Sequence, residues 1–208
     1  MIGVDASAAA IAKARALLPR DALPQIRFVH ADVNEVSAGQ LGVRDVDLAY
    51  CRLMLLHQAD PARTVQRIAS FVRAEGVVIA HEASDSPAHA PASEPHVPAM
   101  TRVWELVIAA ARARGAQTDF ARNGRTYFER AGLTAEASGT YAAHYPPAIG
   151  YDIPRVALHS LRPTLALHAL AGDDEIAQLD HALEAAKHAD GVQWVTGPLM
   201  FEWIGRKR

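Results

Sequence analysis

Polar side chains follow four short apolar runs in the first half of the chain: Asp5, Asp32, the Cys51-Arg52 pair and the His81-Glu82 pair. In an open α/β sheet, ligands bind outside the carboxyl ends of the strands, so we expect these side chains to surround one site. A carboxylate can accept hydrogen bonds from both hydroxyls of a ribose, and a second carboxylate can accept one from an exocyclic amine such as that of adenine. Asp5 and Asp32 therefore indicate a nucleoside-containing ligand, although Asp5 would serve a nicotinamide enzyme equally well.

These residues also have simpler interpretations. Asp5 and Ser7 are typical of residues that cap a helix, and Asp32 beside Asn34 is typical of a turn. Cys51 is predicted to be a small buried residue at a strand end. The sequence leaves the binding and the structural interpretation open at each position.

Two further side chains could take part in proton transfer. His57 follows Leu55 and Leu56 after the third apolar run, which favours a packed, hydrogen-bonded histidine over a catalytic one. Glu82 lies where a strand meets a segment rich in Pro, Ala and Ser, and it is a candidate substrate contact or base. Both residues are kept as catalytic candidates.

Metal binding is not predicted. Five potential ligands fall within sixteen residues, namely His81, Glu82, Asp85, His89 and His96. No pair among them has the spacing that places two ligands on one face of a helix. The single cysteine excludes a cysteine-built zinc site and an internal disulfide.

The elements that must position these residues alternate between strand and helix. The predicted strands are Ile2–Asp5, Ile26–Ala31, Val46–Cys51 and Val77–Ala80, and predicted helices begin after Ser7 and at Asp60-Pro61. Strands that are apolar throughout and alternate with helices indicate a parallel sheet covered on both faces. The predicted fold class is α/β, with a doubly wound, mostly parallel sheet of the Rossmann-like kind.

The second half is predicted to be mainly helical. The pattern gives a loop over Ser84–Pro98, helices over Ala99–Arg114 and Arg125–Ala131, a strand over Thr134–Tyr145, a helical stretch over Asp152–Leu170, a helix from Asp173, and a C-terminal strand over Leu199–Ile204. Pro163 is expected to kink or split the helical stretch that contains it. We predict one domain over residues 1–208, in which residues 84–125 and 145–172 form helical caps.

Composition narrows the class of protein. The chain has 208 residues, of which 50% are hydrophobic and 21% charged, and its formal net charge is −2. This balance is typical of a globular chain and gives no electrostatic drive toward nucleic acid. No apolar run approaches the ~20 residues that span a bilayer, and no signal peptide is evident. We expect a cytoplasmic protein with no membrane and no nucleic-acid partner.

The ordered set of motifs resembles the class I S-adenosylmethionine-dependent methyltransferases. The resemblance rests on Ile2-Gly-Val-Asp-Ala-Ser7, Phe28-Val-His-Ala-Asp32, the stretch from Asp47 to His57, Asp60-Pro61, and Gly76-Val-Val-Ile-Ala-His-Glu82. Weaker similarity continues through Gly124–Leu133, Gly197–Phe201 and Trp203–Lys207. The match covers nearly the whole chain and implies an antiparallel C-terminal strand.

The resemblance implies a site for S-adenosyl-L-methionine. Asp5, with Ala6 beside it, would hold the ribose hydroxyls. Asp32 would accept from the adenine amine, and the backbone amide of Val33 would reach the ring. Cys51 and Arg52 would lie beside the methionine moiety, mostly through backbone atoms, and the substrate side would be faced by His81, Glu82 and Asp85.

One part of the family pattern is missing. Members of the family open with a strand, a Gly-x-Gly-x-Gly turn and a helix before the stretch that corresponds to Ile2–Asp5, and none of these is present here. The missing strand would lie between Ile2–Asp5 and Val46–Cys51, so we expect two half-sheets with unpaired backbone groups. Three repairs are possible: direct pairing of the flanking strands, cover by a second chain (for example in a homodimer), or a natural chain that begins upstream of Met1. The third is favoured.

Two functions from different classes follow. The first is methyl transfer to a small, partly hydrophobic molecule by a chain truncated at its N-terminus. The alternative is a catalytically inactive methyltransferase-like fragment or pseudoenzyme that binds a partner. A nicotinamide-dependent oxidoreductase ranks last, because it fits the Asp32 and Cys51-Arg52 stretches poorly.

Overall fold

The computed structural model describes residues 1–18, 24–191 and 194–208. The strands are β1 (Ile2–Asp5), β2 (Arg27–His30), β3 (Val46–Arg52), β4 (Val72–Ala83), β5 (Ala92–Ser93), β6 (Leu133–Tyr141), β7 (His144–Tyr145), β8 (Val195–Thr196) and β9 (Met200–Lys207). The helices are α1 (Ala8–Leu17), α2 (Ala38–Leu41), α3 (Pro61–Phe71), α4 (Pro98–Ala113), α5 (Phe120–Arg130), α6 (Pro147–Gly150), α7 (Asp152–Leu167) and α8 (Asp173–Lys187). Single 3₁₀ turns cover Leu55–His57 and Pro87–His89.

The strands form two parallel pairs and an antiparallel extension. β1 pairs with β2 in parallel, and β3 pairs with β4 in parallel. β9 is antiparallel to both of its neighbours, β4 and β6, so the larger sheet has the order β3-β4-β9-β6. The predicted α/β class with an antiparallel C-terminal strand is confirmed.

The sheet is divided where the missing strand was expected. Within the described ranges, β1 is paired only with β2, and β3 only with β4. The first predicted repair, direct pairing of β1 with β3, is therefore not what the structure shows. Each of these two strands keeps a free edge of backbone N–H and C=O groups.

One face of the larger sheet is covered by α3 and α5. Asp60 caps α3 by accepting a hydrogen bond from the Arg63 N–H at 2.9 Å, and Pro61 occupies the first helical position. The apolar residues of α3 then recur on one side and are buried against the sheet. On β3, by contrast, Leu48 and Tyr50 are 53% and 55% exposed. The sequence therefore supplies a cover for only one side of β3.

Much of the two segments predicted as helical caps packs, together with α8, into a second core. Its buried members include Tyr151, together with Met100, Val103 and Leu106 from α4, Leu158 and Leu165 from α7, and Ile176 and Leu183 from α8. A small sheet of the order β5-β8-β7 joins this cluster through Val195. Of these helices, α4 and α7 contribute residues to the lining of the cavity described below.

Departures from prediction in the second half include Pro163 and the strand predicted over Thr134–Tyr145. Pro163 lies inside α7, which runs unbroken from Asp152 to Leu167, so of the expected kink or split the split is wrong. Pro163 removes one backbone hydrogen bond, but the burial of Leu158 and Leu165 on either side of it holds the helix together. The predicted strand Thr134–Tyr145 is two strands, β6 and β7, which belong to different sheets.

Candidate functional site

Asp5 and Asp32 lie at the carboxyl ends of the paired strands β1 and β2, and both are exposed. Asp5 Oδ1 accepts from the Ser7 N–H at 2.7 Å, and Asp32 Oδ1 accepts from the Asn34 N–H at 2.8 Å. Ser7 in turn caps α1 by accepting from the Ala10 N–H. The turn and cap geometry that the sequence suggested is thus present, and it uses one carboxylate oxygen of each aspartate.

The remaining oxygens make this pair a suitable acceptor site. Among the described residues, Oδ2 of Asp5 and of Asp32 accepts no hydrogen bond. Beside them, the Ala6 carbonyl accepts from His30 Nε2 at 3.1 Å, and Val33 packs against the core. Exposed, unoccupied carboxylate oxygens at adjacent strand ends fit the hydroxyl and amine donors of a nucleoside.

The two half-sheets are tied together at their carboxyl ends by side chains. Asn34, which follows β2, donates from Nδ2 to Gln58 Oε1 at 2.9 Å. The Thr64 hydroxyl of α3 donates to Asn34 Oδ1 at 2.8 Å, and Thr64 is only 2% exposed. This bridge was not predicted, because it depends on the spatial approach of residues 24 to 30 positions apart.

Cys51 and Arg52 end β3 and have contrasting surroundings. Cys51 is buried, and its thiol donates to the Ile79 carbonyl at 3.8 Å. Burial and the nearby Glu82 carboxylate raise the pKa of the Cys51 thiol far above its usual range, which keeps it protonated. Arg52 is exposed and, among the described residues, makes no ion pair or side-chain hydrogen bond.

Glu82 is fully buried and holds the turn that follows β3. Its Oε1 accepts from the backbone N–H groups of Met54 and Leu55, each at 2.9 Å, and its Oε2 accepts from that of Leu56 at 3.2 Å. Burial raises the pKa of Glu82 to about 7, although the three backbone hydrogen bonds oppose this shift. The carboxylate therefore fixes the 3₁₀ turn that ends at His57.

His57 lies at the end of that turn, at the rim of a cavity. Its surface is partly exposed, yet desolvation by the atoms packed around the ring, followed by the charge of Arg114, lowers the pKa of His57 from its usual value. Within the described residues its imidazole makes no hydrogen bond. In the part of the chain that the structure describes, the His57 imidazole is thus without the hydrogen bond that the sequence favoured, and its lowered pKa favours the neutral form.

The cavity has a volume of ≈ 480 Å³ and lies between the carboxyl end of β3 and the helices α4 and α7. It is lined by Arg52, Leu53, Leu56, His57, Pro91, Met100, Val103, Trp104, Val107, Ala143, Tyr145, Gly150, Ile153, Pro154, Ala157, Val195, Thr196, Gly197, Pro198 and Met200. Its ionisable lining groups are the Arg52 guanidinium, the His57 imidazole and the Tyr145 phenol. No carboxylate of the described residues lines it.

His81 and Asp85 are engaged elsewhere. His81 Nε2 is hydrogen-bonded to Glu202, and the ring packs edge-on against Tyr50 and Tyr141. Asp85 accepts from Arg112, Thr118 and Arg122. Burial alone would raise the pKa of Asp85, but the hydrogen bonds from Arg122 and Thr118 and the charge of Arg122 hold it below its usual range. His81, Glu82 and Asp85 do not line the 480 Å³ cavity.

In the described ranges, no group of three or more His, Cys, Asp or Glu side chains is placed to hold a metal ion. No helix of those ranges is long and apolar enough to cross a membrane.

Comparison with known proteins identifies the fold and a domain. Residues 1–80 match the family model described as a methyltransferase domain. No curated protein sequence matches the chain. Residues 1–80 are therefore similar in sequence to a methyltransferase domain, and the chain shares its Rossmann-like fold with solved structures described as methyltransferases.

Similar solved structures come from distant sequences. A protein of Bacillus halodurans C-125 with a provisional methyltransferase assignment is 14% identical, with a TM-score of 0.57 over 99% of this chain and 82% of its own. The YcgJ protein of Bacillus subtilis is 14% identical, with a TM-score of 0.58 over 100% of this chain and 82% of its own. Phosphoethanolamine N-methyltransferase 2 of Haemonchus contortus, in complex with S-adenosyl-L-methionine, is 12% identical, with a TM-score of 0.53 over 99% of this chain and 43% of its own.

Proposed function

We propose that the protein is an S-adenosyl-L-methionine-dependent methyltransferase that acts on a small molecule held in the 480 Å³ cavity. The observation that carries this proposal is the position of the cavity. It is lined by Arg52 and Leu53, which lie at the end of β3, where the methionine moiety of the cofactor is expected. Its size and apolar lining are those of a small-molecule site. The proposal includes a cytoplasmic location, as the composition predicts.

The residues at the strand ends fit the cofactor. Asp5, with Ala6, would hold the ribose hydroxyls, and Asp32, with the Val33 amide, would hold the adenine ring. Cys51 and Arg52 would border the methionine moiety. The complex of the Haemonchus contortus enzyme with S-adenosyl-L-methionine supports this assignment by analogy of fold. When bound, the cofactor supplies an electrophilic methyl group on a sulfonium sulfur.

The chain's own residues would then align the acceptor and remove its proton. Glu82 positions the turn Leu53–His57 through its three backbone hydrogen bonds. His57, kept neutral by its surroundings, can accept a proton from an acceptor that lies in the cavity. The apolar walls exclude water, so methyl transfer depends mainly on alignment.

Calorimetric titration of S-adenosylhomocysteine into the 208-residue chain tests the proposal, with circular dichroism to show that the chain is folded. We expect binding with a micromolar Kd. A folded chain that does not bind would contradict the proposal, because every later step requires the cofactor.

A second function is favoured by one specific observation. The free edges of β1 and β3 can accept a strand from another chain, and this kind of pairing is a common basis of protein–protein recognition. The alternative is therefore a methyltransferase-like protein that binds a partner, including a second copy of itself, without catalysis. Absence of cofactor binding together with a defined oligomer would favour this function over the first.

A further inference from the structure

We propose that the methyl acceptor is the hydroxyl group of a planar, apolar phenol or enol, and not an amine. This inference rests on the proposed function, since it names the substrate class of the same cavity. It follows from three features of the lining: its charge, its one available base and its apolar walls.

The charges that line the cavity disfavour a cationic ligand. Arg52 lines the cavity, and no carboxylate of the described residues reaches the lining. An ammonium group would leave water without gaining an anionic partner, and burial of an unpaired charge is costly. An anionic or ionisable oxygen, by contrast, would gain the Arg52 guanidinium as its partner, since this group is unpaired among the described residues.

The base that lines the cavity, His57, can accept the proton of a hydroxyl group. A neutral amine already carries the lone pair that attacks a methyl group, whereas a phenol or enol becomes strongly nucleophilic only when it loses its proton. The hydroxyl proton passes to a ring nitrogen of His57. The oxygen then forms its bond to the methyl carbon, and the C–S bond breaks with its electron pair remaining on sulfur. His57 releases the proton to water afterwards.

The apolar side chains of α4 and α7 that line the cavity favour a substrate with an apolar ring system. Met100, Val103 and Val107 of α4 face the cavity together with Ile153 and Pro154 of α7. These side chains offer no hydrogen bonds, so a polar group placed against them would lose its hydration without replacement. The Trp104 indole also lines the cavity and favours a planar ring system beside it.

A matched pair of probes tests the inference without any catalytic turnover. 2-Naphthol and 2-(aminomethyl)naphthalene have the same ring system and differ in carrying a hydroxyl or an amine that is charged at pH 7. We expect calorimetry to show that 2-naphthol binds at least ten-fold more tightly at pH 7. The absorbance band of the naphtholate should also appear at a lower pH for the bound probe than for the free one.

Variants assign these effects to residues. His57→Gln should move the naphtholate band of the bound probe back toward higher pH, and Arg52→Gln should reduce the preference over the amine. His168→Gln is the matched control, since this exposed histidine lies outside the cavity, and it should behave as wild type. Circular dichroism checks that each variant is folded.

The outcomes separate this inference from the proposed function. If S-adenosylhomocysteine binds but the amine binds as well as the naphthol, or neither probe binds, the substrate class is wrong while the methyltransferase function stands. If the naphthol binds with the expected dependence on His57 but S-adenosylhomocysteine does not bind, the cavity chemistry stands and the methyltransferase function fails. A naphtholate band that is unchanged in His57→Gln overturns the role of His57.

Discussion

Glu82 shows how a buried carboxylate can serve a site that it does not line. Its pKa of about 7 lies well above the ordinary value of 4.5, because burial penalises the charged form more than the three backbone hydrogen bonds favour it. The folded state therefore binds the Glu82 proton more tightly than the unfolded state does. It follows that the contribution of Glu82 to stability is greatest below pH 4.5 and falls as the pH rises through 7.

The raised pKa of Glu82 therefore predicts that the stability of the protein depends on pH. The free energy of unfolding of the wild type, minus that of Glu82→Gln, should decrease by about 3 kcal/mol between pH 4.5 and pH 7.5. Urea unfolding at several pH values measures the difference, and the subtraction removes groups that titrate identically in both proteins. A difference that stays constant with pH would show that the pKa of Glu82 is not raised.

Replacement of Asp5 is expected to weaken cofactor binding while leaving the stability of the protein nearly unchanged. Asp5→Ala removes the proposed partner of two ribose hydroxyls, and hydrogen bonds to a charged group contribute about 1.5–3 kcal/mol each. We expect S-adenosylhomocysteine to bind at least 100-fold more weakly. The melting temperature should change little, since Asp5 is exposed and, among the described residues, its carboxylate accepts a hydrogen bond only from the Ser7 N–H.

Glu35→Ala is a suitable control for Asp5→Ala, because Glu35 is an exposed acidic residue that is not assigned to the cofactor. Unchanged cofactor binding by a folded Asp5→Ala protein would remove the ribose assignment.

The sequence predicted the position of the exposed candidate residues better than the surroundings of the buried ones. Asp5 and Asp32 could be placed at the sheet edge because they follow apolar strands. The role of Glu82 could not be found, because its partners are backbone amides and carry no signal in residue type. His57 differed from prediction for a related reason: whether an imidazole finds a hydrogen-bond partner depends on side chains brought close only by the fold.

At the scale of elements, the first half was predictable and the short strands were not. Strand Ile2–Asp5 and the start of α3 match the pattern residue for residue, because apolar runs and an Asp-Pro cap are strong local signals. β5 and β8 contain two residues each, which is too short for any alternation to be seen. α7 continued through Pro163 because tertiary packing outweighed a local penalty.

The close packing of α5 against the sheet requires a glycine at position 124. A Cβ at Gly124 would lie 2.3 Å from Trp203 Nε1, which donates to the Ala121 carbonyl at 2.9 Å. Gly124→Ala gains about 1 kcal/mol in helix propensity. Overpacking typically costs about 1–3 kcal/mol, and the loss of the indole hydrogen bond adds to it. We expect a net destabilisation of about 1–2 kcal/mol.

Denaturant unfolding measures the effect of Gly124→Ala, and Thr126→Ala on the exposed side of α5 is its control. A Gly124→Ala protein that is more stable than the wild type would show that α5 can move away from Trp203 at little cost.

At the scale of the whole molecule, the divided sheet leaves apolar surface beside unpaired backbone. β3 has a free edge along its length, and Leu48 on this strand is 53% exposed. Exposed strand edges of this kind pair readily with other chains unless charged side chains prevent it. The Asn34–Gln58–Thr64 bridge holds the half-sheets together at one end without pairing these edges.

We therefore expect the isolated 208-residue chain to self-associate through the free edges of β1 and β3. Light scattering after size exclusion should give a mass of twice 22.4 kDa or more at micromolar concentration. Leu48→Lys should shift the protein toward the monomer, because a lysine on a free edge opposes pairing. Leu167→Lys, at an 80% exposed site on α7, should leave the mass unchanged. A wild-type chain that is monomeric at all concentrations would mean that its free strand edges remain hydrated, and the partner-binding function would then lose its main support.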